Sequence, residues 1–227
     1  MVEAADMNDP CAGMNRAQIK DYCIQKGESH LAAKEGYEVQ TDNPSKCLKI
    51  WMTEENGVAM SVSENYAEGL SMEDFRAFYA PEAWPTNITL LDKEVTAQKL
   101  DEDTGLDDCY LMYQYVKTPM VVADRCLFQS VYNVDLPNGD MIFVQTSYGN
   151  ALVEQQNASM VGKCVVSTCH YGYVKAEAQE DGRIKCSSVV CVDINGDIPG
   201  WMKKKIAQAN SNGQEKLVDL LRQRKGL

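Results

Sequence analysis

The sequence predicts an α+β chain in which short N-terminal helices precede a long antiparallel sheet and one long amphipathic helix closes the C-terminus. Three observations carry that reading. Short, mixed apolar segments bounded by turn residues succeed one another from about residue 45 to 194, the texture of strands. Connections such as Pro137-Asn138-Gly139-Asp140 and Glu180-Asp181-Gly182 are too short to hold the crossover helix that parallel neighbours require. Beyond Pro199 the period changes, and Met202, Ile206, Ala209, Gly213, Leu217 and Leu220 recur at steps of three and four, one face of a helix over 198–224.

Residues 1–13 are small, acidic and aperiodic, the composition of a flexible arm, and 14–227 read as a single domain. Two short helices are expected over 14–36. The first carries Ala17, Ile19, Tyr22, Cys23 and Ile24, the second runs from Glu28 to Glu35, and Gly27 and Gly36 punctuate them. The sheet follows over 45–194. It opens with Cys47–Thr53 and Val58–Tyr66 on either side of Glu55-Asn56-Gly57, a hairpin signal. Ser71 with Asp74 three residues on forms a capping-box pattern, and the helix it starts carries Phe75, Phe78 and Tyr79 before Pro81 ends it. Further strands are expected near 88–99, 109–117, 126–135, 140–148, 163–175 and 184–194. Pro199 starts the last helix, and Asn210 to Gly213 weaken its middle.

Composition narrows the function. The chain has 22 Lys plus Arg against 33 Asp plus Glu, a net charge of −11, which disfavours a nucleic-acid binder that must neutralise phosphates. The longest uninterrupted apolar run, Cys109 to Tyr113, is far short of the roughly 20 residues of a membrane span. Met-Val-Glu-Ala-Ala-Asp at the start lacks the basic and apolar regions of a secretory signal, so a cytoplasmic protein is expected, its nine cysteines reduced. Cys164, Cys169, His170, Cys186 and Cys191 lack Cys-x-x-Cys spacing, and residues five apart on a strand face opposite ways, so no metal is expected. Adjacent Cys169 and His170 also face opposite ways on a regular strand, which leaves no nucleophile pair, and glycine-rich phosphate loops are missing; no catalytic residue and no cofactor is assigned. By the same alternation Tyr113 and Tyr115 share a face with Tyr110 opposite, and Tyr171 and Tyr173 share a face with His170 and Gly172 opposite.

The stretch Ser188-Val-Val-Cys-Val-Asp-Ile-Asn-Gly-Asp-Ile-Pro-Gly-Trp-Met202 resembles the final strand, the Asp-x-x-Gly-x-Ile-Pro turn and the start of the lid helix in StAR-related lipid-transfer (START) domains. Trp84 and Thr118-Pro-Met-Val-Val-Ala-Asp-Arg125, at the place of the family's omega loop, support the resemblance, which covers roughly 45–224. Two features depart from it. The loop ends Ala123-Asp124-Arg125-Cys126 where the family usually has Pro-Arg-Asp/Glu-Phe, and Val165-Val166-Ser167 occupies the region where many members place a cavity arginine.

The resemblance implies a helix-grip fold, a curved antiparallel sheet wrapped around the C-terminal helix with an internal lipid cavity. It implies a non-enzymatic monomer that carries one sterol, phospholipid or sphingolipid between membranes and touches the membrane surface transiently. Met120, Val121 and Val122 at the loop tip and Trp201, Met202, Ile206 and Ala209 on the final helix would line the cavity and its lid, with Tyr113, Tyr115, Tyr171 and Tyr173 as polar lining. Lys203, Lys204 and Lys205 belong to a basic end, residues 197–227, of net charge +4 against −15 for the rest, suited to anionic headgroups. Two alternatives stand beside this one: a small-molecule enzyme of hydrolase or cyclase type on the related fold, with an acid or His170 as general base, and a lipid-sensing regulatory module.

Overall fold

Among the described residues ten strands, numbered in chain order with the ranges given below, form one sheet in the order β1-β2-β3-β10-β9-β7-β6-β5-β4, with β8 beside β6. The computed structural model describes residues 9–118, 122–196, 198 and 213–227. The expectations for Met120, Val121, Trp201, Met202, Lys203, Lys204, Lys205, Ile206 and Ala209 fall outside the described residues. Along the chain come α1 (Arg16–Ala33), β1 (Glu38–Asn43), β2 (Leu48–Glu55), β3 (Val58–Ala67), α2 (Met72–Tyr79), α3 (Trp84–Leu91), β4 (Val95–Leu100), β5 (Cys109–Val116) and β6 (Arg125–Asp135). They are followed by β7 (Met141–Thr146), α4 (Ala151–Gln156), α5 (Ala158–Val161), β8 (Val165–Val166), β9 (Thr168–Ala178), β10 (Ile184–Asp193) and a C-terminal helix, α6 (Gly213–Lys225). Every pairing is antiparallel except the two-residue β8 beside β6.

Local chemistry explains most of the boundaries. Asn15 and Gln18 form a reciprocal capping box, each side chain accepting the other's backbone N–H at 3.0 and 2.9 Å, which starts α1. The helix does not stop at Gly27. Its buried face is Ile19, Cys23, Gly27 and Leu31, and at Gly27 the helix lies against the Tyr173 ring so closely that a methyl group would come within 2.5 and 2.8 Å of ring carbons. One continuous helix therefore replaces the two expected pieces, and the glycine serves close packing. The β2–β3 hairpin turns through Asn56 and Gly57 at φ +52° and +79°, the left-handed pair that a tight two-residue turn requires. Ser71 and Asp74 make the expected capping box of α2, with the Ser71 N–H donated to Asp74 at 2.7 Å.

Three other expectations change. Residues 84–91 are helical because Pro85 sits in the first turn of α3, so the strand expected from 88 begins at Val95. The sheet begins earlier than expected, with β1. Part of the arm is packed: Cys11 is 2% exposed, inside the cluster under α1.

Both faces of the sheet are covered. On the outer face, α1 packs its buried stripe on Met60, Val62, Val144, Tyr173, Val189 and Cys191, while Val153 of α4 and Met160 of α5 pack around Leu111, Cys126 and Phe128. On the inner face, α2, α3 and α6 pack on Ala67, Phe143, Val174, Ala176, Ile184 and Cys186.

Candidate functional site on the inner face of the sheet

The inner face is identified by ladder register from the residues that pack with Leu217, Val218 and Leu221 of α6. Through the pairs Asn65–Cys186, Ser63–Ser188, Ser61–Val190, Val174–Phe143 and Gly172–Gln145 it runs from β3 across β10 and β9 to β7. It continues through Gln145–Val131, Met112–Gln129 and Gln114–Leu127 onto β6 and β5. Its two ends differ in what they offer.

One end is filled. Phe78, Tyr79, Trp84 and Phe143 form an aromatic cluster with ring centroids 4.3 to 5.8 Å apart, Phe75 is buried in the same core, and α6 lays Leu217, Val218 and Leu221 on it. Gln214 accepts the Cys186 thiol proton at 2.8 Å and bonds the Tyr79 hydroxyl. Arg224 donates to Asn87 Oδ1 at 2.8 Å and Lys225 reaches Asp74 at 2.8 Å, so α6 is tied to α3 and α2.

Toward the other end the face becomes polar, with one charged side chain, Arg125, buried at its margin. Ser63 and Ser188 share a hydroxyl hydrogen bond at 2.8 Å. The side-chain oxygens of Asn65, Gln114, Gln129 and Gln145 are buried and have no hydrogen-bond partner, a cost of about 1–3 kcal/mol for each that water or a ligand must offset. Gly172 makes room for one of them: a Cβ there would stand 2.8 Å from Gln145 Cγ. The carboxylate that the register places on this face of β6, Asp135, lies at the filled end, exposed and ion-paired with Arg76, away from Gln145, Gln129 and Gln114.

The turn that leaves β10 toward the C-terminal segment is firmly held. Arg125, 4% exposed, donates to the carbonyls of Ile194 at 2.7 Å and Asn195 at 3.1 Å and also to Ala123. Ser167 donates to the same Ile194 carbonyl at 3.1 Å, and Asn195, itself left-handed at φ +48°, donates its amide to Val166 at 2.9 Å. The mouth of the 118–125 loop is closed by Asp124, which accepts the Thr118 backbone N–H at 2.9 Å and the Tyr115 hydroxyl proton. Half-buried Val122 gives its carbonyl to the Thr118 hydroxyl at 2.7 Å. Arg125 thus bonds main-chain groups and bridges the loop to the turn, a role the departure from the family's loop motif did not reveal.

The four tyrosines expected in the lining require correction, since all lie on the outer face. Tyr113 packs on Phe128 at 5.2 Å and donates to the Met160 carbonyl at 2.8 Å, under α5. Tyr115 is spent on Asp124. Tyr171 stacks on His30 at 5.8 Å, with its hydroxyl 2.9 Å from Nε2 and bonded to Glu55, and Tyr173 donates to Glu28 at 2.6 Å. The alternation that paired them was sound, but parity cannot say which face is which, and here both are buried. Burial pushes up the phenols of Tyr113, to about 12, Tyr171 and Tyr173, and the hydrogen bond to Asp124 pushes up that of Tyr115.

His170 also moves. A β-bulge sets Cys191 opposite Tyr171 and Val192 opposite Cys169, and the extra residue, His170, joins Tyr171 on the outer side, 2.8 Å from the Tyr148 hydroxyl. Burial lowers its pKa. What the sequence reading missed was Ser61, Ser63 and Asn65 alternating with Met60 and Val62. That pattern signals a strand with one polar face, and the polar face is turned to the interior.

No family model and no curated protein matches the sequence. Solved structures do match. Human StAR-related lipid transfer protein 5 superposes with a TM-score of 0.75 at 12% identity, covering 92% of this chain and 97% of that one. Human STARD10 gives 0.68 at 11% identity over 91% of this chain and 79% of its own, and a STAR-related lipid transfer protein from Xanthomonas axonopodis gives 0.62 at 12% over 82% and 99%. Likeness at such low identity speaks for architecture, and in architecture this chain has the helix-grip fold of the START domains.

Proposed function

We propose that the chain binds one lipid molecule between the inner face of the sheet and the C-terminal segment, and transfers it between membranes. The observation that carries this reading is an inner face that is buried yet keeps polar groups unpartnered amid Leu48, Ile50, Leu127 and Met112, the mixture an amphipathic guest needs. It is supported by the structural likeness to the human StAR-related lipid transfer protein 5 and the human StarD13 lipid transfer and protein localization domain.

The physical task is desolvation. A lipid leaving a bilayer exposes its chains at about 0.8 kcal/mol per CH₂, on the order of 20 kcal/mol for a diacyl lipid, and an apolar enclosure removes that cost. Entry needs a moving element. In this reading the gate is the 118–125 loop, with Met120, Val121 and Val122, together with the start of the final helix, Trp201, Met202, Ile206 and Ala209. Lys203, Lys204 and Lys205 meet anionic headgroups during the encounter. The protein works as a cytoplasmic monomer, peripheral and transient at membranes, without catalysis. No helix among the described residues is long and apolar enough to cross a bilayer. The enzyme alternative is disfavoured by where His170 lies, under α1 beside Tyr148 and away from the inner face.

The test is organic extraction of the purified, gel-filtered protein followed by mass spectrometry, with an unrelated protein from the same cells as control. One lipid class at near one molecule per chain supports the reading. An empty extract together with no uptake from mixed-lipid vesicles refutes it.

A further inference from the structure

The polar part of the inner face is ordered. Gln145 on β7 pairs with Val131; Gln129 lies two residues from Val131 on β6; Gln114 on β5 pairs with Leu127, two residues from Gln129. The three glutamines thus form an oblique file across three neighbouring strands, each step a diagonal cross-strand neighbour at roughly 7–8 Å. All three side-chain oxygens are buried and unpartnered, and Gln129 is only 2% exposed as a residue. Its orientation is fixed by its neighbour. The Cys169 thiol donates to the main-chain carbonyl of Gln145 at 3.5 Å, so the sulfur accepts from the Gln129 amide N–H, and the Gln129 oxygen is the end left over.

We propose that this file reads the polar end of a neutral lipid bearing two or more hydrogen-bond donors, such as an N-acylated long-chain amino diol or a monoacylglycerol. The inference rests on the lipid-binding reading above and narrows it. Amide oxygens accept and do not donate, so the complementary groups on the guest are hydroxyl or amide protons. Phosphate fits poorly. It would be desolvated without a cation, because the buried arginine at this end, Arg125, is committed to the carbonyls of Ala123, Ile194 and Asn195. Among the described strand residues next to the file there is no carboxylate to meet a quaternary ammonium headgroup, since the inner-face Asp135 of β6 lies at the far end, paired with Arg76. A sterol, with one hydroxyl, would satisfy one member of the file and leave the others buried and unpaired.

The experiment offers the intact protein phosphatidylcholine vesicles containing equal small fractions of N-acylsphingosine, monoacylglycerol, cholesterol and phosphatidylinositol, then recovers it by gel filtration and measures its lipid by mass spectrometry. We expect the two multi-donor neutral lipids, or one of them, to be enriched about 10-fold over their vesicle fraction. We expect Gln129→Met to remove most of that enrichment while the circular dichroism stays as in the wild type. Gln114→Met, at the half-buried end of the file, serves as the second variant should Gln129→Met fail to fold. Preferential recovery of phosphatidylinositol, phosphatidylcholine or cholesterol overturns the headgroup inference and leaves lipid binding standing. So does an enrichment that neither substitution alters. Recovery of no lipid of any class overturns the lipid-binding reading itself.

Discussion

Replacing Gly27 by alanine should destabilise the protein, although alanine is the better helix former by about 1 kcal/mol. The added methyl would meet Tyr173 Cδ2 at 2.5 Å and Cδ1 at 2.8 Å. Tyr173 has nowhere to go: it is fully buried, its hydroxyl is held by Glu28, and β9 is paired on both sides. Overpacking at such a site costs about 1–3 kcal/mol when the surroundings shift and more when they do not, so a net loss of about 1–2 kcal/mol remains after the propensity gain. Gly36 supplies the control, since nothing lies within 4 Å of a Cβ there and its φ is not left-handed. Gly36→Ala should be neutral or stabilising by about 0.4–1 kcal/mol through the unfolded chain. Urea titrations of both variants, read by circular dichroism, test the contrast, and Gly27→Ala combined with Tyr173→Leu should recover part of the loss as a coupling energy. A Gly27→Ala protein as stable as the wild type would refute the close-packing explanation for the unbroken helix.

Two further outcomes follow from the contacts described, and a third from the proposed gate. Burial raises the Glu55 pKa, but hydrogen bonds from Lys26 and Tyr171 outweigh it and hold the carboxyl below its ordinary 4.5, while burial pulls His30 below its ordinary 6.5. Both groups have depressed folded-state values, so the stability they contribute is complete above about pH 6.5 and is lost on acidification, first through His30 and then through Glu55; urea midpoints across pH 7 to 3 should fall, and fall less steeply in Glu55→Gln. Arg125→Met should free the Ile194 and Asn195 carbonyls, costing about 1–3 kcal/mol locally, and hydrogen exchange in peptides covering 122–126 and 193–196 should accelerate together; protection unchanged in either peptide would dissolve the link between loop and turn. Trp201→Ala and Val121→Asp should each slow lipid exchange between vesicles several-fold without changing the melting temperature, and unchanged exchange in both would remove these residues from the gate.

Much of the fold was legible because its signals are local. Asn56-Gly57 can turn only one way cheaply, Ser71 and Asp74 close a ring within four residues, and short connections leave an antiparallel sheet as the arrangement available. The errors come from information that is not local. Gly27 looks like a helix breaker until Tyr173, distant in sequence, is placed beside it. Pro85 starts a helix where an apolar run suggested a strand. For the site, alternation sorted Tyr110 from Tyr113 and Tyr171 from Gly172, but choosing the inner set required knowing which helices cover which face. His170 escaped even the parity rule because one bulge residue inverts it. The glutamine file is the hardest to foresee, since Gln114, Gln129 and Gln145 are widely separated and come together only through the β5–β6–β7 register.

The position of β10 has a consequence for how the chain acquires its structure. It lies between β3 and β9, pairing Ser188 with Ser63 on one side and with Val174 on the other. Until residues 184–193 leave the ribosome, nothing joins β3 to β9, and any sheet formed by β1 to β3 or by β4 to β9 ends in an edge of unpaired amides and carbonyls that could template association with another chain. The last strand therefore acts as a keystone, and its loop closure across more than a hundred residues is the kind of long-range step that makes folding slow. Protection from aggregation during synthesis must come from outside the molecule, or from the speed with which that single strand is captured.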